Sequence, residues 1–237
     1  MASVGLRFFG QRAPLHLRLV GRLNLVRYYS QPRLDHFAVN EYGLLSSYLP
    51  APWRYRPSIF TRAGLESVRT GVMETFREMF SYVLMKYHLS GWSKRAFATQ
   101  AEVMCEAMNE AFAEGNVKTL GTMCFPSMAA SLKNDIKRRK SALDWRKVRS
   151  VEAPKIVQIR CGRLASNLTI GQVVVRIDQE QVATPRALGA RSSGSPVRVT
   201  EYVVFQRIVS DPASPWRIFC KLGVPKWDQA AAVSKTK

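Results

Sequence analysis

Between Lys133 and Arg149 the chain sets eight cations, Lys133, Lys137, Arg138, Arg139, Lys140, Arg146, Lys147 and Arg149, against two acids, Asp135 and Asp144. Ammonium and guanidinium groups at that density share one chemistry, the neutralisation of phosphate. Arginine grips phosphate oxygens in pairs and lysine acts as a point charge, so such a segment suits a polyanion of any base sequence. On a helix, Lys137–Lys140 covers more than one face, so part of the run must meet solvent or an anion. The bland alternative is a solvated charged face. Whole-chain charge weighs against it: Lys and Arg number 36 against 17 Asp and Glu, for a formal net charge of +19. That surplus calls for nucleic acid or an acidic membrane surface nearby. Arg160, Arg163, Arg176, Arg207 and Arg217 are candidates to extend the surface, subject to the direction in which strand twist points them.

Catalytic chemistry has little to work with. Asp178, Glu180 and Glu201 are the carboxylates available to a pocket as a general base. The histidines, His16, His36 and His88, all lie far upstream of them. HExxH, GxSxG, Walker-type and dinucleotide-binding motifs are absent from the sequence. Cys105, Cys124, Cys161 and Cys220 have neither CxxC spacing nor histidine neighbours, and read as buried thiols. The expectation is a non-enzyme with no cofactor, no metal and no small-molecule substrate.

Upstream of these groups lie two segments of distinct composition. The first 34 residues hold six arginines and no acid, the first acid being Asp35. Arg7, Arg12, Arg18, Arg22 and Arg27 alternate with Leu6, Phe9, Leu17, Val20 and Leu25, as in a mitochondrial transit peptide. Residues 1–29 are read as that address, with cleavage near Tyr28 or Tyr29; a basic nucleic-acid-binding arm is the alternative. Removing five arginines and no acids lowers the net charge of +19 by five, to about +14, so the rest of the chain remains basic. Residues 30–60 carry Pro32, Pro50, Pro52 and Pro57. They read as an extended arm whose Arg33, Trp53, Arg54, Tyr55 and Arg56 suit stacking and groove contacts, or as a plain linker.

The elements that must position the cations follow from periodicity. Leu65, Val68, Val72, Phe76, Met79, Phe80, Val83 and Tyr87 recur every three or four residues, which predicts a helix over 61–89 with its stripe in the core or on a membrane. A second helix is expected from a cap at Ser93 to Ala113, ended by Gly115-Asn116. A short helix through Val117, Leu120 and Met123 follows, then a third long helix capped at Ser127. From Trp145 the period becomes two: Val157, Ile159 and Cys161; Val173, Val175 and Ile177; a run from Thr200 to Val209; then Trp216, Ile218 and Cys220. Pro185–Pro196 reads as a hairpin crossing and Asp211–Pro215 as a tight turn. Helices first and strands after is the α+β pattern, with a curved, mostly antiparallel sheet. The apolar runs all fall short of the ~18–20 residues that span a bilayer.

The series EAFAEGNVKTLGTMCFPSM, a basic helix, then WRKVRSVEAPKIVQIRC resembles the nuclear-transport-factor-2-like cone, a bent sheet wrapped around helices. More narrowly, TEYVVFQRIVSDPASPWRIFCKLGVPKW, with LGTMCFPSM and IVQIRC, is similar to the mitochondrial large-subunit ribosomal protein forty-five family. That family is related to the membrane-docking domain of an import-motor scaffold (Tim forty-four) and to a fungal inner-membrane ribosome receptor. The similarity covers roughly residues 93–227. It implies a conical domain over 61–227 followed by a disordered tail at 228–237. It also implies a non-enzymatic protein of the mitochondrial matrix on the ribosomal large subunit, near the tunnel exit. Its partners would be large-subunit rRNA, neighbouring ribosomal proteins, the matrix face of the inner membrane and membrane-insertion machinery. A peripheral ribosome receptor that is no stoichiometric subunit is the alternative.

Overall fold

Four helices come first. Thr61 caps α1 (Arg62–His88) by accepting the Gly64 amide, and Ser93 caps α2 (Lys94–Glu114) by accepting that of Ala96. Gly115 ends α2 at φ +79, a left-handed conformation that glycine adopts without Cβ strain. Asn116 then caps α3 (Val117–Met123) through the Thr119 amide. α4 (Pro126–Arg138) departs from expectation: it starts behind Phe125, with no side-chain cap, and Ser127 lies inside its first turn. Proline explains the shift, because its fixed φ and missing N–H suit the first helical position. The computed structural model describes residues 42–139, 141–165, 167–186 and 194–229, without the Arg54 side chain. Residues 1–41, with the expected transit segment and Arg33, therefore lie outside the described residues, as do Lys140, most of the 185–196 crossing and the tail from 230.

The strands β1 (Leu143–Ala165), β2 (Leu168–Pro185), β3 (Val197–Ile208) and β4 (Arg217–Leu222) form one curved sheet in that order, each pair antiparallel. β1 and β2 are much longer than the alternating stretches that announced them. Register shifts interrupt their ladder between Lys147 and Arg149 and at several later points, and such bulges bend a strand. The turn expected at Asp211–Pro215 is present, held by Ser214 N to Asp211 O and Ala213 N to Asp211 Oδ1.

The inner face of the sheet and α2 enclose the main core, with Phe97, Cys105, Met108, Val173, Val203 and Phe205 essentially inaccessible. Phe97 sits 4.5 Å from Trp216 and meets Phe205 edge-on at 5.7 Å, joining α2 to the far strands. The outer face has its own cluster, Val174, Tyr202, Val204 and Cys220, covered by Leu44 and Leu49 from the arm and by Val224 and Trp227 near the C-terminal end. The packed chain thus extends to Asp228, which is buried and hydrogen-bonded, so residue 228 belongs to the packed domain. Glutamine side chains peg the arm down: Leu45 N donates to Gln172 Oε1, and Gln158 Nε2 donates to Tyr48 O.

One expectation fails in an informative way. The apolar stripe of α1 is not core: Leu65, Phe76, Phe80 and Tyr87 are exposed, and only Gly64, Ser81 and Met85 are buried. The reason is the ion pair of Glu74 with the buried Arg160 of β1, which turns the polar side of α1 inward. Met85 is the one buried apolar side chain that this helix sends into the main core, in the space that the missing side chain of Gly171 leaves, and Tyr82 packs against the core's edge.

Candidate polyanion interface

The basic segment is split between two elements and three kinds of duty. Lys133, Lys137 and Arg138 lie exposed on α4, and Arg146 lies exposed on β1. No ion pair to any of these four is present among the described residues. Lys137 and Arg138 occupy the last turn of α4, where the partial negative charge of the helix end favours cations.

Of the remaining four, Lys140 lies outside the described residues and the other three are engaged within the fold. Arg139 reaches back to the end of α2, where Nη1 donates to Phe112 O (2.8 Å) and Nη2 to Ala113 O (2.9 Å), with the guanidinium over the Phe112 ring. Burial lowers its pKa from the usual arginine value. Lys147 points to α2 and bonds Glu102 (2.7 Å) and Glu106. Burial opposes its charge, yet the bonds and attraction of the two carboxylates outweigh it and raise its pKa. Arg149 makes a two-pronged bond with Glu180 across the β1–β2 ladder (2.7 and 2.8 Å), which raises its own pKa and lowers that of Glu180. Arg149 remains exposed, so an anion can compete for it.

The expected sheet extension is largely corrected. Arg160 is committed to Glu74, and Arg176 to Asp228, Asp178 and Glu152. Arg207 donates to Pro212 O. Arg163 is the exposed member of that set. The carboxylates weighed as general bases are all paired: Asp178 with Arg176 and Arg198, Glu180 with Arg149, and Glu201 with Lys221. Among the described residues no cluster of His, Cys, Asp and Glu could hold a metal ion.

Of the arm residues whose side chains are described, Tyr55 and Arg56 are turned toward their own chain and Trp53 is not. Tyr55 packs against Trp227, and Arg56 donates through Nε to Ala51 O and stands 5.7 Å from the Trp53 ring. Trp53 itself is 69% exposed, the most available aromatic of this set. Charge density alone could not separate free cations from engaged ones. A signal was present for Lys147: Glu102 and Glu106 stand one helical turn apart on α2 and form a ready acidic pair.

A helical layer on a curved antiparallel sheet with a basic outer helix defines a domain that presents charge. The chain belongs to the Tim44-like domain family, whose match covers residues 77–220. It is similar to proteins named large ribosomal subunit protein mL45: 28% identical to that of Xenopus tropicalis over 78% of this chain and 60% of the relative. The Bos taurus protein is 36% identical over 44% of this chain and 33% of its own length. The Drosophila melanogaster protein is 23% identical over 78% and 52% respectively. The chain thus spans about 60% of the length of the frog relatives. The family is a non-catalytic one and the relatives carry ribosomal names, in agreement with the expectation that this chain is not an enzyme.

Proposed function

We propose that this protein is a component of the mitochondrial large ribosomal subunit that binds rRNA phosphate through one face of α4 and the start of β1. Lys133, Lys137, Arg138 and Arg146 are the contact groups; Arg149 joins them at the rim, and Lys140 is proposed as a contact from its place in the sequence alone. The observation that carries the reading is the division of labour among the cations. The fold uses Arg139, Lys147 and Arg160 internally and leaves these four facing outward without a carboxylate. In a protein with a net charge of +19 that arrangement supports an anionic partner over a merely solvated face. The ribosomal names of the relatives supply the kind of polyanion. A site near the tunnel exit, facing the matrix side of the inner membrane and its insertion machinery, completes the proposal: the protein would help hold the ribosome where hydrophobic chains are inserted.

The test is sedimentation. Detergent-solubilised mitochondria carrying Lys133→Glu, Lys137→Glu and Arg138→Glu together should release this chain from the large subunit at a lower salt concentration than wild type. Phosphate contacts make affinity fall steeply with salt, and a chain with fewer of them has a shallower fall, so the affinity gap should be widest at low salt and narrow as salt rises. Unchanged co-sedimentation at every salt concentration would remove α4 from the interface. A wild-type chain that leaves the subunit at moderate salt and floats with membranes would favour a receptor over a stoichiometric subunit.

A further inference from the structure

α1 turns its apolar side away from the fold. Phe76, Phe80, Val83 and Tyr87 are 59, 69, 60 and 81% exposed, and with Leu65 and Val72 they make a continuous stripe along the helix. A patch of several large side chains of this kind exceeds what a monomer ordinarily leaves in water, and marks a surface that something covers. Two further features say what kind of partner fits. Arg62 and Arg69 stand exposed along the stripe with no carboxylate partner among the described residues, and Lys86 at its edge meets only the ring of Tyr82. Beside the middle of the stripe, Trp53 and Arg56 rise from the arm and wall a cleft of about 310 Å³ against Val72, Phe76 and Met79.

We propose that this face is a docking groove for an amphipathic helix of a partner protein. That helix would place one large apolar side chain in the cleft and carboxylates against Arg62 and Arg69. The cleft favours a partner helix over a bilayer: an acyl chain that enters it must be ordered out of a fluid layer, whereas a side chain on a helix arrives already positioned. A partner helix fills such a hole with an anchoring side chain, and buried anchors of that type carry most of the energy of helix-in-groove binding. The cations decide against a second copy of this chain, because two stripes face to face would bring like charges together. The inference is independent of the phosphate-binding reading and uses the opposite chemistry.

The experiment uses the full chain and two synthetic helical peptides with the same Leu/Phe face, one rimmed with glutamate and the other with lysine, followed by fluorescence anisotropy. The glutamate-rimmed peptide should bind about tenfold tighter or better than the lysine-rimmed one, a gap of about 1.4 kcal/mol. Phe76→Asp and, separately, Trp53→Ala should each weaken it about tenfold with unchanged helix content and melting temperature. Lys137→Glu should leave it intact, so that loss of ribosome sedimentation in that variant and loss of peptide binding report on different surfaces. Equal binding of the two peptides, or binding of neither, would overturn the proposal. So would flotation with phosphatidylcholine–cardiolipin vesicles that Phe76→Asp abolishes while the peptides fail to bind, or sedimentation equilibrium showing a dimer held by the same residue.

Discussion

Arg139 closes the end of α2 from the far side of α4, and its place in the basic run conceals that role. One of its hydrogen bonds goes to Ala113 O, a carbonyl that the helix end leaves open, and the other adds to Phe112 O, which also accepts the Gly115 amide. Bonds from a charged donor are worth more than neutral ones, so Arg139→Ala should cost about 2 kcal/mol in urea unfolding. Lys137→Ala, on the exposed side of the same run, should fall within about 0.5 kcal/mol of wild type. Equal effects would mean that the cap contributes nothing. The thiols behave similarly in that burial decides their character. It pushes Cys124, Cys161 and Cys220 up to about 12 and Cys105 higher still. A disulfide reagent at pH 8 should therefore react with them slowly in the native protein and promptly after guanidinium is added; fast stoichiometric reaction of the folded chain would contradict the burial. The sequence made both groups visible and left their duties undecided. Four cysteines without ligand spacing implied inert thiols, but nothing local told Arg139 apart from Arg138, because the carbonyls it caps belong to Phe112 and Ala113.

At the scale of elements, periodicity located α1 and α2 to within a residue or two because caps at Thr61, Ser93 and Asn116 and the left-handed Gly115 are local chemistry. Direction was not local. A stripe at three-and-four spacing says that a helix has two faces, and the Glu74–Arg160 pair, between groups far apart in sequence, chose which one turned inward. Strand length escaped for a related reason: β1 reads as charged over Asp144–Ser150 because its partners there are Glu102, Glu106 and Glu180 on other elements. The arm obeys the same logic. Proline content marked it as extended, while the outer sheet face supplies its anchor. Trp227 stands between Tyr55 of the arm and Tyr202 of β3, at 6.4 and 6.3 Å. Trp227→Ala should therefore speed amide exchange across residues 43–56 and leave α2 and β3 protected, since the outer cluster is separate from the main core. Slowed or unchanged exchange in the arm would show that Gln158 and Gln172 suffice to hold it.

For the molecule as a whole, the charge pairs set a pH window. Asp178 has a fully buried carboxylate; burial raises its pKa, but hydrogen bonds from Arg198 and attraction by Arg198 and Arg176 prevail and hold it below its ordinary 3.8. Glu102 is held below 4.5 in the same way, against burial, by Lys147 and Ser150. A carboxylate with a depressed folded pKa binds protons more readily when unfolded. Its contribution is thus complete above the unfolded value and disappears as pH falls through the lower folded value. The thiols act in the opposite sense. Their folded pKa values are raised from 9.0 to about 12 for Cys124, Cys161 and Cys220, so the stability they secure is complete below 9.0 and declines as pH climbs toward the folded values. Stability should accordingly form a plateau from about pH 5 to about pH 8.5, with an acid limb starting near 4 and an alkaline limb starting near 9. Growing positive charge in acid adds to the first limb, so the wild-type profile alone does not isolate Asp178. Asp178→Asn does. Losing one partner of a buried pair should cost about 3 kcal/mol at pH 7, and the variant's acid limb should be shallower than the wild type's because one titrating group is gone. Melting temperatures of the two proteins should therefore converge as pH falls from 5 to 3; a constant gap across that range would show that Asp178 holds its place by shape and hydrogen bonding and not by charge.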